Sequence, residues 1–235
     1  MIKRKKESVK RFHILTIFPE IFDSYLKESL FKRAQEQKLL AVRTYNIRDY
    51  SLDRHAKVDA RPFGGGPGMV FKVEPIYHAV ENILRKISSG QKAKRATGTK
   101  RRRVRTILFS TRGEKLDAAM AQRLAKYDDL ILICGRYEGV DERVAEHIAD
   151  EEISLGDFVL SGGELPAIML TEAVSRFIPG FLGKEESLEE INGSFPTYTR
   201  PEIFKPKKGK PWKVPGVLLS GDHKKVNEWR KGGAV

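Results

Sequence analysis

Leu130-Ile-Leu-Ile-Cys-Gly-Arg-Tyr-Glu-Gly139 and Ile153-Ser-Leu-Gly-Asp-Phe-Val-Leu-Ser-Gly-Gly-Glu-Leu-Pro166 are two apolar runs that each lead into a glycine turn. A short apolar run bounded by glycine reads as a buried strand followed by a loop. In an open α/β sheet such loops gather along one edge, where glycine lets backbone N–H and C=O groups approach a small molecule with no Cβ in the way. Taken singly, Gly135, Gly139, Gly156, Gly162 and Gly163 read as turn punctuation. Arg136, Glu138, Asp141, Ser154, Asp157, Ser161 and Glu164 are packed into the same few residues, and the combination points to one ligand crevice carried on loops.

Working outward, residues 12–18 read as a first strand, and Pro19-Glu20 opens a helix whose apolar positions Ile21, Phe22, Tyr25, Leu26, Leu30 and Phe31 fit a 3.6-residue period. The pattern predicts further strands over 41–45, 105–110, 130–134 and 157–160. It predicts helices over 75–87, 115–127, 141–148 and 164–177, the last with Pro166 in its first turn, where a missing N–H costs little. Strands alternating with helices imply an α/β fold with a largely parallel sheet. The N-terminus of the helix at 164 turns free N–H groups and a positive dipole end toward the proposed crevice.

Composition limits the class. The chain has 235 residues, 40% hydrophobic content and a formal charge of +13. That length buries a real core, and no apolar run approaches the roughly 20 residues of a membrane span. The basic start is followed by an apolar stretch that Pro19-Glu20 cuts short, which reads as a polybasic tail on a cytoplasmic protein. Cys134 is the single cysteine, so an intrachain disulfide is excluded, and at the end of an apolar run it reads as a small buried hydrophobe. Basic residues crowd a connector over 88–105, including Arg101, Arg102 and Arg103, and a second cluster runs from Lys205 to Lys213. Both attract phosphate backbones, and both also suit a solvated loop. Trp212 and Trp229, near the second cluster, either stack on bases or anchor a small core.

The glycine-rich loop at residues 64–68 lacks a following Lys-Ser/Thr, and no Gly-x-Gly-x-x-Gly opens a helix, so neither ATP nor a dinucleotide is indicated. Arg54, His55 and Arg61 flank that loop and are candidates to grip RNA. No metal-ligand spacing or serine-nucleophile elbow is present.

The segments Leu15-Thr-Ile-Phe-Pro-Glu-Ile-Phe22, Asp59-Ala-Arg-Pro-Phe-Gly-Gly-Gly-Pro-Gly-Met69, Cys134-Gly-Arg-Tyr-Glu-Gly-Val-Asp-Glu-Arg143, Gly156-Asp-Phe-Val-Leu-Ser-Gly-Gly-Glu-Leu-Pro166, Ser175-Arg-Phe-Ile-Pro-Gly180, Tyr198-Thr-Arg-Pro201 and Val217-Leu-Leu-Ser-Gly221 closely resemble the bacterial tRNA (guanine-N1)-methyltransferases, in family order. The resemblance implies a SPOUT fold, a mostly parallel α/β sheet with a deep C-terminal trefoil knot and here a short C-terminal extension. It implies a homodimer with the active site at the subunit interface, and S-adenosylmethionine held in the knot loops. The implied reaction is methylation of N1 of the guanosine at tRNA position 37, 3′-adjacent to the anticodon, and a magnesium requirement is suggested. By matching position, cofactor contacts fall at Phe109, Ser110, Gly135, Glu138, Gly139, Leu155, Gly156, Asp157, Phe158, Val159, Leu160, Gly162, Gly163 and Pro166. Arg176 matches the arginine expected to stabilise charge on guanine O6. The implied organisation is a basic tail over 1–11, a catalytic domain over 12–180, an interdomain loop over 181–203 and a basic C-terminal region over 204–235.

Two departures stand out. The family's loop aspartate before a Ser-Phe pair has no counterpart in the shorter stretch Glu185-Glu-Ser-Leu-Glu-Glu-Ile-Asn-Gly-Ser-Phe-Pro196, so either Glu190, the favoured reading, or Glu189 takes over as the base, or deprotonation works differently, or activity is weak. Family members also usually continue beyond the point matching Trp229-Arg230, so tRNA affinity is expected to lean on the basic connector and the lysine-rich tail. A non-catalytic RNA-binding homologue and an enzyme with another RNA target are the alternatives.

Overall fold

The computed structural model describes residues 9–95, 101–183 and 193–232, the side chains of 91–95 apart. The candidate bases Glu189 and Glu190 lie outside the described residues. The chain divides into two compact units, 1–183 and 184–235.

The first unit carries a five-stranded sheet of order β2-β1-β6-β5-β7, every neighbouring pair parallel. Its strands are β1 (Lys10–Thr16), β2 (Leu40–Asn46), β5 (Val104–Lys115), β6 (Asp129–Ile133) and β7 (Glu151–Ser154); a separate antiparallel pair joins β3 (Asp59–Ala60) to β4 (Val70–Phe71). Pleating sends Phe12, Ile14, Leu130 and Leu132 to one face, and Leu15, Ile17, Ile131 and Ile133 to the other. The first face packs against residues of α1 (Asp23–Leu26), α2 (Ser29–Glu36), α4 (Ala118–Ala125) and α6 (Glu164–Arg176). The second packs against α3 (Val73–Arg95) and α5 (Glu142–His147). Two covered faces explain the unbroken apolar run from Leu130 to Ile133 in the central strand β6.

Several boundaries differ from the sequence expectation. The first helix is three pieces: a 3-10 turn (Pro19–Phe22), then α1, then α2. The break falls where Glu28 is extended and Ser29 takes a positive φ of 45°, which no continuous helix permits. Helix α3 runs through the first part of the basic connector to Arg95. Strand β5 continues to Lys115 through a register shift, with the Gly113 Cα so close to the Glu152 backbone that an added Cβ would lie 2.5 Å from its carbonyl carbon. Helix α4 begins only at Ala118, where the Asp117 carboxylate accepts the Met120 N–H at 2.7 Å. The expected strand at 157–160 is absent: β7 ends at Ser154, whose hydroxyl bonds the Gly156 carbonyl at 3.1 Å, and Phe158, Val159 and Leu160 are exposed.

Lys10, placed in the tail by sequence, is the first residue of β1 and is buried. Its amino group donates to the carbonyls of Leu124 (2.7 Å) and Tyr127 (2.5 Å) at the end of α4. Burial pushes its pKa down to about 7 against the opposing pull of Asp128 and Asp129. A neutral amine has two hydrogens, which matches the two carbonyls. Because the unfolded chain keeps its proton to about pH 10.4, it binds more protons between pH 7 and 10, so stability is expected to rise with pH there by up to about 1.4 kcal/mol per unit. Urea unfolding at pH 7, 8 and 9 checks this: Lys10→Met should flatten the slope, and identical slopes would refute the assignment.

In the second unit, β8 (Ile203–Phe204) and β9 (Trp212–Lys213) form an antiparallel hairpin with Phe204 and Trp212 paired at 5.3 Å. Two helices follow, α7 (Gly216–Leu219) and α8 (His223–Gly232). Asp222 accepts the Lys224 and Lys225 N–H groups at the start of α8. The ring of Trp229 lies 6.2 Å from that of Tyr198. Among its described residues no side chain is buried.

Candidate active site

The loops leaving the C-terminal ends of β6 and β7, together with β5 residues 108–112 at its register shift, line a cavity of about 520 Å³, within the range of roughly 300–1,000 Å³ typical of small-molecule sites. The two glycine turns are in direct contact. The Gly163 N–H donates to the Gly135 carbonyl at 2.9 Å, and Arg136 pairs with Gly162 in an isolated antiparallel bridge. No side chain fits at these crossings. A Cβ on Gly163 would lie 2.7 Å from Cys134 Cα, and one on Gly135 2.7 Å from Val140 Cγ2; one on Gly162 would lie 2.5 Å from both Arg136 Nε and Glu164 Oε2. At Gly163 the obstruction is backbone, so space alone requires glycine there; at Gly135 and Gly162 a Cβ would displace the Val140, Arg136 and Glu164 side chains, whereas Gly139 has a φ of 121°.

The glycine-rich loop at 64–68 is stitched to the same turn. Glu138 N–H donates to the Met69 carbonyl, Phe71 N–H to the Gly139 carbonyl and Asp141 N–H to the Phe71 carbonyl, each at 3.0 Å. A Cβ on Gly68 would run into the Glu138 side chain.

Of the cofactor positions proposed from sequence, Phe109, Ser110, Gly135, Glu138, Gly139, Leu155, Phe158, Val159, Leu160, Gly162, Gly163 and Pro166 line the cavity. Gly156 and Asp157 do not: Gly156 closes a turn onto Ser154, and Asp157 is exposed and paired with Lys115 at 2.6 Å. Sequence reasoning missed Arg112, Glu142 and Glu152 in the wall, where Arg112 donates to both Glu142 oxygens at 3.0 and 2.8 Å. Arg112, two residues past Ser110, was within reach of a local reading; its carboxylate partners, on α5 and β7, were not.

Arg176 is the last residue of α6, outside the cavity wall, with partly exposed surroundings. Arg54, His55, Arg61 and Arg101 are exposed, so their side chains are accessible to a ligand. Arg102 is a correction to the RNA-binding set. Its guanidinium turns inward to the buried Asp129 carboxylate and to the Val9 and Asp128 carbonyls, both at 2.9 Å. Arg103 is exposed but bonds the Lys126 carbonyl. Burial pushes the Cys134 thiol well above its ordinary pKa, which fits the hydrophobe reading. Among the described residues no group of three or more His, Cys, Asp or Glu is placed to hold a metal ion, and no helix is long and apolar enough to cross a membrane.

A parallel α/β sheet whose strand-end glycine loops interlock around a backbone-lined cavity is the frame of an enzyme that holds a small molecule at its sheet edge. The family model described as tRNA (Guanine-1)-methyltransferase TrmD matches residues 10–235. The chain is 45% identical over 226 residues to a tRNA (guanine-N(1)-)-methyltransferase of Clostridioides difficile, covering 94% of this chain and 90% of that protein. It is 47% identical over 228 residues to one of Geotalea uraniireducens, covering 94% and 84%. The crystal structure of the tRNA (m1G37) methyltransferase from Aquifex aeolicus superposes with a TM-score of 0.73 at 38% identity, covering 94% of this chain and 87% of that one. The chain belongs to the tRNA (guanine-1)-methyltransferase family, and it is a methyltransferase.

Proposed function

We propose that this protein methylates N1 of the guanosine 3′-adjacent to the anticodon, position 37 of tRNA, using S-adenosylmethionine. The observation that carries the reading is the Gly135–Gly163 crossing, where two loops approach too closely for any Cβ and leave a cavity walled by backbone. Residues 135–139, 155 and 158–163 would hold the cofactor, which supplies an electrophilic methyl group on a sulfonium sulfur. Guanine N1 carries a proton at neutral pH, so a base must take it as negative charge grows on O6. Arg176 is assigned to that charge and Glu190, with Glu189 as alternative, to the proton.

The close passage of residues 162–163 over 134–136 is consistent with a trefoil knot at this point. A homodimer with the site at its interface is supported by exposed apolar residues around α6: Leu165 and Met169 on the helix, with Phe18, Ile21 and Tyr25 nearby through the Tyr25–Glu172 hydrogen bond of 3.0 Å.

The test incubates the protein with labelled S-adenosylmethionine and two tRNA transcripts, one with guanosine after the anticodon and one with adenosine there. The expected product is 1-methylguanosine in the first only; absence of label from both would overturn the proposal. Arg176→Ala is expected to lower kcat by about 10²–10³-fold with little change in cofactor affinity, as for loss of an oxyanion donor. Single-turnover kinetics would show it, and an unchanged rate would remove Arg176 from the mechanism.

A further inference from the structure

Glu164 is a buried carboxylate, 2% exposed, at the first position of α6. Its Oε1 accepts the Thr16 hydroxyl at 2.8 Å and its Oε2 accepts Arg136 Nε at 2.9 Å. The Arg136 guanidinium lies 4.8 Å from the centre of the Phe18 ring, and the absence of a Cβ on Gly162 is what lets the ion pair pass. The end of β1, both glycine turns and the start of α6 therefore meet on one guanidinium. Arg136 also lines the cavity, and its two terminal nitrogens have no partner among the described residues.

We infer that Glu164 is a positioning residue, anchored by Thr16, which fixes Arg136 so that its terminal nitrogens receive an oxyanion at the cavity wall. A buried ion pair is a poor stability device, because desolvation offsets most of its attraction. This pair leaves the outer edge of an always-protonated fork unused beside a ligand cavity, and that edge matches a carboxylate or a phosphate in two parallel bonds. The Nε bond, the Phe18 ring and the tight passage at Gly162 limit its rotation, so orientation is set before the ligand arrives. The oxyanion is either the carboxylate of the cofactor's methionine end or a phosphodiester of the RNA. This inference rests on the proposed reaction for the ligands it names.

Thr16 is outside the cavity wall, so its effect on ligands must pass through the groups it bonds, Glu164 and the Phe18 backbone, both of which meet on Arg136, and Glu164→Gln isolates the first. In the full chain, Thr16→Val removes the hydroxyl, which also accepts the Phe18 N–H at 2.9 Å, while Thr16→Ser keeps it. Thr16→Val is expected to lower kcat/KM about tenfold and Glu164→Gln about 10–100-fold, with Thr16→Ser near wild type, since misplacement by about 1 Å can cost 10²-fold. Direct binding separates the two sources. If the cofactor carboxylate is held, Thr16→Val weakens S-adenosylhomocysteine but not 5′-methylthioadenosine, which lacks that carboxylate. If an RNA phosphodiester is held, both bind as to wild type and tRNA binding weakens. Thr16→Val matching wild type in all three titrations, or Thr16→Ser as impaired as Thr16→Val, would overturn the inference. A wild-type protein that binds these ligands but transfers no methyl group would instead overturn the proposed reaction and leave the binding arms to decide the role of Glu164.

Discussion

Gly163→Ala is expected to abolish measurable cofactor binding and to lower stability by about 1–3 kcal/mol, the usual cost of overpacking. The added methyl group would meet Cys134 Cα at 2.7 Å and the Gly135 nitrogen at 3.1 Å. Both are backbone atoms of the neighbouring turn, and backbone cannot rotate away as a side-chain tip can. Relief requires the two turns to separate, which breaks the Gly163 N–H to Gly135 carbonyl bond and opens the wall that the ligand needs. Gly90→Ala is the control. It lies within α3, and an added Cβ meets nothing within 4 Å, so alanine should be neutral or stabilise by up to about 1 kcal/mol. Calorimetric titration with S-adenosylhomocysteine, together with urea unfolding, would check both; wild-type affinity in Gly163→Ala would show that the crossing does not seat the cofactor.

Asp129→Ala should cost about 3–5 kcal/mol, because it leaves the largely buried Arg102 guanidinium without its counter-charge and His13 without its hydrogen-bond partner. The Asp129 carboxylate is fully buried at the start of β6. It meets His13 Nε2 at 3.0 Å, Arg102 Nε at shorter range and Arg11 Nη1 at 3.9 Å. His13 Nδ1 in turn lies 3.0 Å from the Tyr45 hydroxyl. Burial alone would raise the Asp129 pKa, but the hydrogen bonds from His13 and Arg102 outweigh it and hold the carboxyl below its ordinary value. A depressed folded-state pKa adds stability above the unfolded value of about 3.9, and that stability is lost as pH falls through the folded value. The gap between wild type and Asp129→Ala should therefore be widest near neutrality and narrow below about pH 4. A gap that stayed constant into acid would mean that packing, not charge, is what the substitution removes.

Much of the architecture is legible along the chain because its signals are local. The runs at 41–45 and 130–134 are mostly apolar or β-favouring; the structure extends the first by one residue at each end and shifts the second by one residue, to Asp129–Ile133. Pro166 and the glycines before it mark the start of α6 correctly. What was not legible depends on partners distant in sequence. Arg102 sits in a basic run and reads as a phosphate contact, yet its carboxylate is 27 positions away. Residues 158–160 are apolar and read as a strand, but they lie on the exposed wall of a cavity instead of in the sheet. The strand order β2-β1-β6-β5-β7 and the Thr16–Glu164 bond, spanning 148 positions, have no local signature. The site was found because its glycines are dense; its arginine–carboxylate clamps were missed because each partner alone looks like an ordinary surface charge.

The cavity wall is drawn from residues 108–112, 135–145 and 152–166, and from none of them alone. During synthesis, therefore, no nascent chain that ends before Pro166 can contain a finished pocket, however well its earlier strands have paired. Capture of the proposed cofactor would then report that all three wall segments are in place. The stabilisation it brings, about 2.7 kcal/mol at a hundredfold excess over Kd, is delivered to the entire sheet at once, late in the emergence of the chain from the ribosome.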